Sequence, residues 1–216
     1  MEDIVVSVKN VTKKFGQQTV LQDINIDIPR GNIYGLIGRN GSGKTMLLKC
    51  ICGFIPVTSG KITVWQKCVG NSMDFPEDLG FIIESPGFLP SESGIKNLKY
   101  LASIRRKITE KHIRECMVLV GLDPDSPKPV GKYSMGMRQR LGIAQAIMED
   151  PELIILDEPM NGLDNQGVAD MRSLFLQLRG EGKTILLASH SNEDIRLLCN
   201  KVYKMDAGIL REANTL

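Results

Sequence analysis

Apolar and polar positions alternate through the first thirty residues. IVVSV starts at Ile4, and LQDINIDI runs up to Pro29. A period of two predicts half-buried strands. GNIYGLIG reads as another short strand running into glycines, and KITVW and GFII as two more. Thr45–Cys52 predicts a helix, with Gly53 as its C-cap and Pro56 beyond it. From about Ser91 to Asp150 the alternation disappears and helical spacing replaces it, broken by GLDPDSPKPVGK with its three prolines. The helix after Tyr133 sets Met137, Leu141, Ala144 and Met148 on one face and stops at Pro151. LIIL (153–156) and TILLAS (184–189) are short buried-strand patterns, each followed by a helix. The first of these helices places Val168, Met171, Phe175 and Leu178 on one face. The second opens with Ser191 and Asp194 as a capping box.

Strands alternating with helices imply an α/β fold with a mainly parallel sheet covered on both faces. The strand-rich N-terminus adds a smaller antiparallel β subdomain. The helical stretch is then an insertion between two strands of the main sheet. Residues 1–216 are expected to form one domain, with a core of 1–85 and 151–216 and a helical subdomain of 86–150. No repeat or low-complexity tract interrupts this organisation.

Composition narrows the functional classes. Apolar residues make up 42% of 216, enough for a sizeable core. A net charge of +2 is too balanced for a nucleic-acid or anionic-membrane partner. The longest apolar runs fall far short of the roughly 18 residues a membrane span needs. The opening MEDIVVSVKN is acidic and has no signal-peptide core. The expectation is a soluble intracellular protein whose membrane role, if any, comes through a partner. The five cysteines are odd in number and show no CxxC spacing, so reduced, mostly buried thiols are expected. The ten methionines are scattered like core filler. His112 lies among charged residues and reads as surface.

Four places along the chain are candidates for chemistry. Gly38-Arg39-Asn40-Gly41-Ser42-Gly43-Lys44-Thr45 fits the phosphate-loop pattern GxxxxGK[ST] in full, with a strand before it and a helix after it. Its glycines let backbone N–H groups face phosphate oxygens. Lys44 adds a charge for the β/γ-phosphates, the Thr45 hydroxyl suits Mg²⁺, and Met46 continues into the helix whose N-terminus adds its dipole. Leu153–Glu158 reads as a buried strand ending in two carboxylates. Ligands of parallel α/β sheets sit beyond the carboxyl ends of strands. Asp157 is therefore placed to hold Mg²⁺ and Glu158 to polarise an attacking water. His190 follows TILLAS on the same rim, where it could donate to a γ-phosphate or be structural. Phe15, before the turn at Gly16, suits either a strand core or stacking on a base.

Together these motifs resemble the ATP-binding domain of ABC transporters, in the order that family has them and over nearly the whole chain. The resemblance implies a P-loop NTPase fold, ATP and Mg²⁺ as ligands, and ATP hydrolysis. It assigns Phe15 to base stacking and His190 to the switch histidine. The family's signature, usually LSGGQ, falls on Tyr133-Ser134-Met135-Gly136-Met137, followed by RQRLGIA, and its D-loop falls on Asn161–Asp164. In that family two domains dimerise head to tail around two ATP molecules. Ser134, Met135, Gly136, Met137 and Asp164 are then expected to meet the partner's ATP, and Gly136 to permit close approach to its phosphate. The chain departs from the pattern at Met135, where the family has Gly, and at Met137, where it has Gln. It also has Glu84 where the family usually has the Gln that approaches the metal. With SPGF behind it, this glutamate resembles the loop of exporters for bacitracin-type and lantibiotic peptides.

The resemblance implies a membrane-spanning permease partner, a homodimer or heterodimer of ATP-binding domains, and a cytoplasmic protein peripheral to the inner membrane face. An ABC protein acting on ribosomes or DNA would have paired domains, long coiled coils or extra basic segments. A GTPase would need an NKxD-type motif, and a kinase an acceptor-site lid. None is seen in the sequence.

Overall fold

The computed structural model describes residues 3–213. Met1 and Glu2 of the acidic opening stretch lie outside the described residues, as do 214–216. Strands β1 (Ile4–Phe15) and β2 (Gln18–Pro29) form a long hairpin turning at Gly16. Strands β4 (Ser59–Val64) and β5 (Lys67–Cys68) complete a four-stranded antiparallel sheet in the order β2-β1-β4-β5. KITVW ends as a strand at Val64, because Trp65 and Gln66 take positive φ and form the turn into β5.

The second sheet has six strands: β3 (Ile33–Ile37), β6 (Leu79–Ile82), β7 (Leu153–Asp157), β8 (Thr184–Ala188), β9 (Lys201–Asp206) and β10 (Ile209–Glu212). Their order is β10-β9-β3-β8-β7-β6, parallel except for β10. This is the expected α/β architecture. The β9–β10 hairpin was absent from the sequence reading. Only the end of β9 alternates buried and exposed positions and β10 has no buried residue, so no continuous apolar run marks them.

Successive residues of β7 and β8 face opposite sides, and that splits the core in two. Ile154, Leu156, Ile185 and Leu187 pack with helices α2 (Gly94–Arg105), α3 (Glu110–Leu119), α4 (Met135–Ile147), α5 (Asn165–Gly180) and α6 (Asn192–Leu198). Leu153, Ile155, Leu186 and Ala188 face α1 (Lys44–Ile51) and the antiparallel sheet. The C-terminal half of α4 also packs on β6, where a side chain at Gly80 would strike the Ala146 carbonyl. This helix therefore ties the inserted segment to the main sheet.

Two local expectations change. The first helix spans Lys44–Ile51, so Cys52 is its cap rather than its last residue. Only half of the capping box at α6 forms. Ser191 Oγ accepts from the Asp194 N–H at 3.3 Å, but the Asp194 carboxylate turns to Arg172 on α5, whose Nε lies 2.8 Å away. A buried carboxylate gains more from a guanidinium than from a backbone N–H.

Candidate functional site

The loops following β3, β7 and β8 come together at one edge of the sheet, where those strands end. Residues 38–45 join β3 to α1 and curl around the Lys44 side chain. Lys44 is buried, and its Nζ donates to the Gly38 carbonyl at 2.7 Å and to that of Arg39 at 3.4 Å. Gly38 has φ 155°, and any Cβ there would collide with the Met205 carbonyl of β9. The turn after β9 adds a brace, with Gly208 N–H donating to the Ser42 carbonyl at 2.9 Å. The hairpin missed in the sequence thus fixes the position of the loop.

Across the cavity, Asp157 ends β7 with only 8% of its surface exposed. Its Oδ2 accepts from the Thr45 hydroxyl at 2.6 Å, joining the glycine-rich loop to the acidic strand. Burial pushes the Asp157 carboxyl above its usual range; the Thr45 hydrogen bond opposes this, and the nearby Glu158 charge adds to it. Glu158 follows with φ 51°, a left-handed backbone held by its N–H donating to the Ala188 carbonyl at 2.9 Å. The strained turn sends the two carboxylates in different directions. Glu158 Oε2 accepts from the His190 N–H at 3.3 Å and lies 2.7 Å from His190 Nδ1. With the proton on Nδ1, His190 orients the carboxylate.

These groups enclose a cavity of about 500 Å³. It is lined by residues 39–46, Asp157, Glu158 and Glu84, as the sequence suggested, and also by Val20, Ser85, Met135, Gln139 and Asn161. Phe15 is not part of the lining. It sits half-exposed at the end of β1 with the Lys13 ammonium 4.7 Å from its ring centroid. Val20, on β2, lines the cavity instead. Gln139 was not singled out from sequence, although its place in RQRLGIA, one turn after Met135, was a usable signal.

Glu84 faces the cavity, but its carboxylate is engaged by Lys49, whose Nζ lies 2.7 Å from Oε1. In this structure it is therefore directed to an ammonium and not to Thr45 and Asp157. Ser134, Gly136, Met137 and Asp164 stand outside the cavity lining of their own chain. Ser134 caps α4, accepting from the Met137 N–H at 3.1 Å. Asp164 caps α5, accepting from the Gly167 N–H at 2.8 Å. Gly136 needs correction. A Cβ there would lie 2.6 Å from the Gly162 carbonyl of the same chain. The close approach that demands glycine is already present inside the molecule, so a partner's phosphate is not required to explain it. Met135 packs on Gly162 as well, where a Cβ would lie 2.9 Å from its sulfur.

The donor set suits a phosphate with a hard cation. Ser42 Oγ is buried without a hydrogen-bond partner, an orphan of the kind a ligand satisfies. Thr45 and Asp157 offer oxygen ligands side by side, and Mg²⁺ takes one or two protein oxygens with phosphate and water completing its shell. Among the described residues no group of three or more His, Cys, Asp and Glu side chains is placed to hold a metal ion. The cysteines are free, and burial pushes the thiols of Cys50 and Cys116 up to about 11 and that of Cys199 to about 12.

Comparison with known proteins gives the family context. The family model described as "ABC transporter" matches residues 21–161. An uncharacterized ABC transporter ATP-binding protein of Bacillus subtilis, YybJ, is 42% identical, covering 95% of this chain and 94% of that protein. The bacitracin transport ATP-binding protein BcrA of Enterococcus faecalis is 39% identical over 97% of this chain and 69% of its own length. The lantibiotic transport ATP-binding protein SrtF of Streptococcus pyogenes is 35% identical, covering 91% and 84%. Among solved structures, a dimeric ATP-binding cassette in a post-hydrolysis state with ADP and Pi superposes with a TM-score of 0.85. It covers 98% of this chain and 100% of that one at 22% identity, a likeness of fold.

Proposed function

The chain belongs to the ABC transporter ATP-binding family, and on that premise we propose that it binds Mg·ATP in the cavity between residues 38–46 and the Asp157–Glu158 pair and hydrolyses it. The observation that carries this reading is the hydrogen bond from Thr45 to the buried Asp157, which brings the loop and the acidic strand into one site. Backbone N–H groups of the loop and Lys44 hold the β/γ-phosphates; on phosphate arrival, the Lys44 ammonium exchanges the Gly38 carbonyl for phosphate oxygen. Thr45 and Asp157 would hold Mg²⁺, which when bound would supply positive charge against the phosphates. Glu158 accepts a proton from the attacking water, and His190 keeps its carboxylate aimed. Phe15, half-exposed at the end of β1, stacks on the base, and Val20 lines the cavity beside the loop.

The working unit is a head-to-tail pair, homomeric or heteromeric, in which Ser134, Met135, Gly136, Met137 and Asp164 approach the ATP of the opposite subunit. Ser134 and the start of α4 bring a helix N-terminus to that γ-phosphate. Among the described residues no helix is long and apolar enough to cross a membrane. In this reading the energy of hydrolysis goes to a membrane-spanning permease partner, with the subunit on the cytoplasmic membrane face, as the names of the transport relatives suggest. The names of the bacitracin and lantibiotic relatives, together with Glu84 and the SPGF that follows it, favour a peptide antibiotic or a similar amphipathic compound as cargo.

Lys44→Ala tests the site. A fluorescent ATP analogue should bind the wild type and lose affinity for the variant by about tenfold or more, the scale of one charge-assisted contact. Equal affinity in both proteins would contradict the assignment.

A further inference from the structure

Glu84 stands where the chain leaves β6 for the helical part, and its backbone has φ 60°. A non-glycine residue in the left-handed region is strained and persists only where its surroundings hold it. Its side chain is engaged by Lys49, with Nζ 2.7 Å from Glu84 Oε1. Lys49 lies in the last turn of α1, four residues after Thr45, so the two share a face of that helix one turn apart. Thr45 is bonded to Asp157, and Glu84 lines the same cavity as both. Within one helical turn Glu84 therefore has two cation positions available: the Lys49 ammonium, and the oxygen pair suited to Mg²⁺.

Charge makes the first position the resting one. Asp157, Glu158 and Glu84 all line the cavity, so an unpaired Glu84 would add a third negative charge to it. Pairing with Lys49 offsets that charge. The glutamine usual in the family could not be held this way, because a neutral amide forms no ion pair. The pair is also easily opened, since Lys49 is 23% and Glu84 63% exposed, and ion pairs of this exposure are weak.

We propose that Lys49 is a positioning residue that holds Glu84 in reserve, releasing it to the cation only when Mg·ATP occupies the cavity, so that loading the site also frees the segment after β6. The proposal rests on the reading of the cavity as a Mg·ATP site.

The test uses wild type, Lys49→Met, Glu84→Gln and the double variant. For each, the affinity of a non-hydrolysable ATP analogue is measured with Mg²⁺ and with EDTA, and the ratio of the two gives the Mg²⁺ enhancement. Lys49→Met should raise that ratio by about two- to fivefold at low salt, the range set by an exposed ion pair. The rise should shrink in 1 M salt, where screening is nearly complete. In the Glu84→Gln background Lys49→Met should leave the ratio unchanged. In the nucleotide-free proteins, amide exchange over residues 83–88 should be faster in both single variants than in wild type. An equal change of the ratio in both backgrounds, or wild-type exchange in Lys49→Met, would overturn the role of Lys49 while leaving the nucleotide site standing. A wild type that binds the analogue neither with nor without Mg²⁺ would overturn both readings.

Discussion

Asp157 is a buried carboxyl in the wall of the cavity. Its carboxyl titrates above the ordinary value because it is buried, so between the unfolded and folded values the folded chain binds more protons than the unfolded one. Stability therefore falls as pH rises through that window, and at neutral pH the charged carboxylate costs stability. Asp157→Asn keeps an acceptor for Thr45 and removes the charge. The nucleotide-free variant should melt higher than wild type at pH 7. The difference should shrink as pH is lowered, and Mg·ATP should no longer raise the melting temperature. Thermal scans over a pH series check this; a variant that melts lower at pH 7 would contradict it. At this scale the sequence was legible wherever a motif is contiguous: residues 38–45 and 153–158 fold as their spacing says. It was not legible where the partner comes from a distant segment. Nothing near Glu84 in sequence points to Lys49, and nothing in the spacing singles out Val20, on the neighbouring strand β2, as a residue that lines the cavity.

Among the elements, α4 shows how a local rule can be satisfied by an unexpected neighbour. Its glycine was legible as a close approach, but the group approached is the Gly162 carbonyl of the loop before α5. Gly136→Ala should force the two apart and destabilise the fold by about 1–3 kcal/mol, the cost of overpacking a filled contact. Urea unfolding measures it, and wild-type stability would mean that the 161–163 loop yields without cost. The helices were readable because their apolar positions recur at helical spacing, as Met171, Phe175 and Leu178 do on α5. The β9–β10 hairpin was not, because its alternation is short and carries lysines and an arginine on the exposed positions. That hairpin presses Met205 against Gly38 and donates from Gly208 to Ser42, so the feature hardest to read supports the one easiest to read.

For the whole molecule, Ser134 and Asp164 are turned to capping duties outside the cavity. Their service to a second subunit is a separate claim with its own test. Ser134→Arg should leave ATP affinity of the single subunit nearly intact and abolish ATP-driven pairing, read by sizing chromatography with a non-hydrolysable analogue. Pairing that survives this bulk would contradict the head-to-tail arrangement. The family and architecture were legible because six motifs follow one another in order along one chain. The most direct measurement of the central claim compares wild type with Glu158→Gln for ATP binding and for phosphate release in Mg²⁺. Removing the proton acceptor should slow phosphate release by about 100-fold or more, the usual contribution of a positioned base, while ATP affinity stays close to wild type. Phosphate release at the wild-type rate in Glu158→Gln would contradict the assignment of Glu158 as the base of this site.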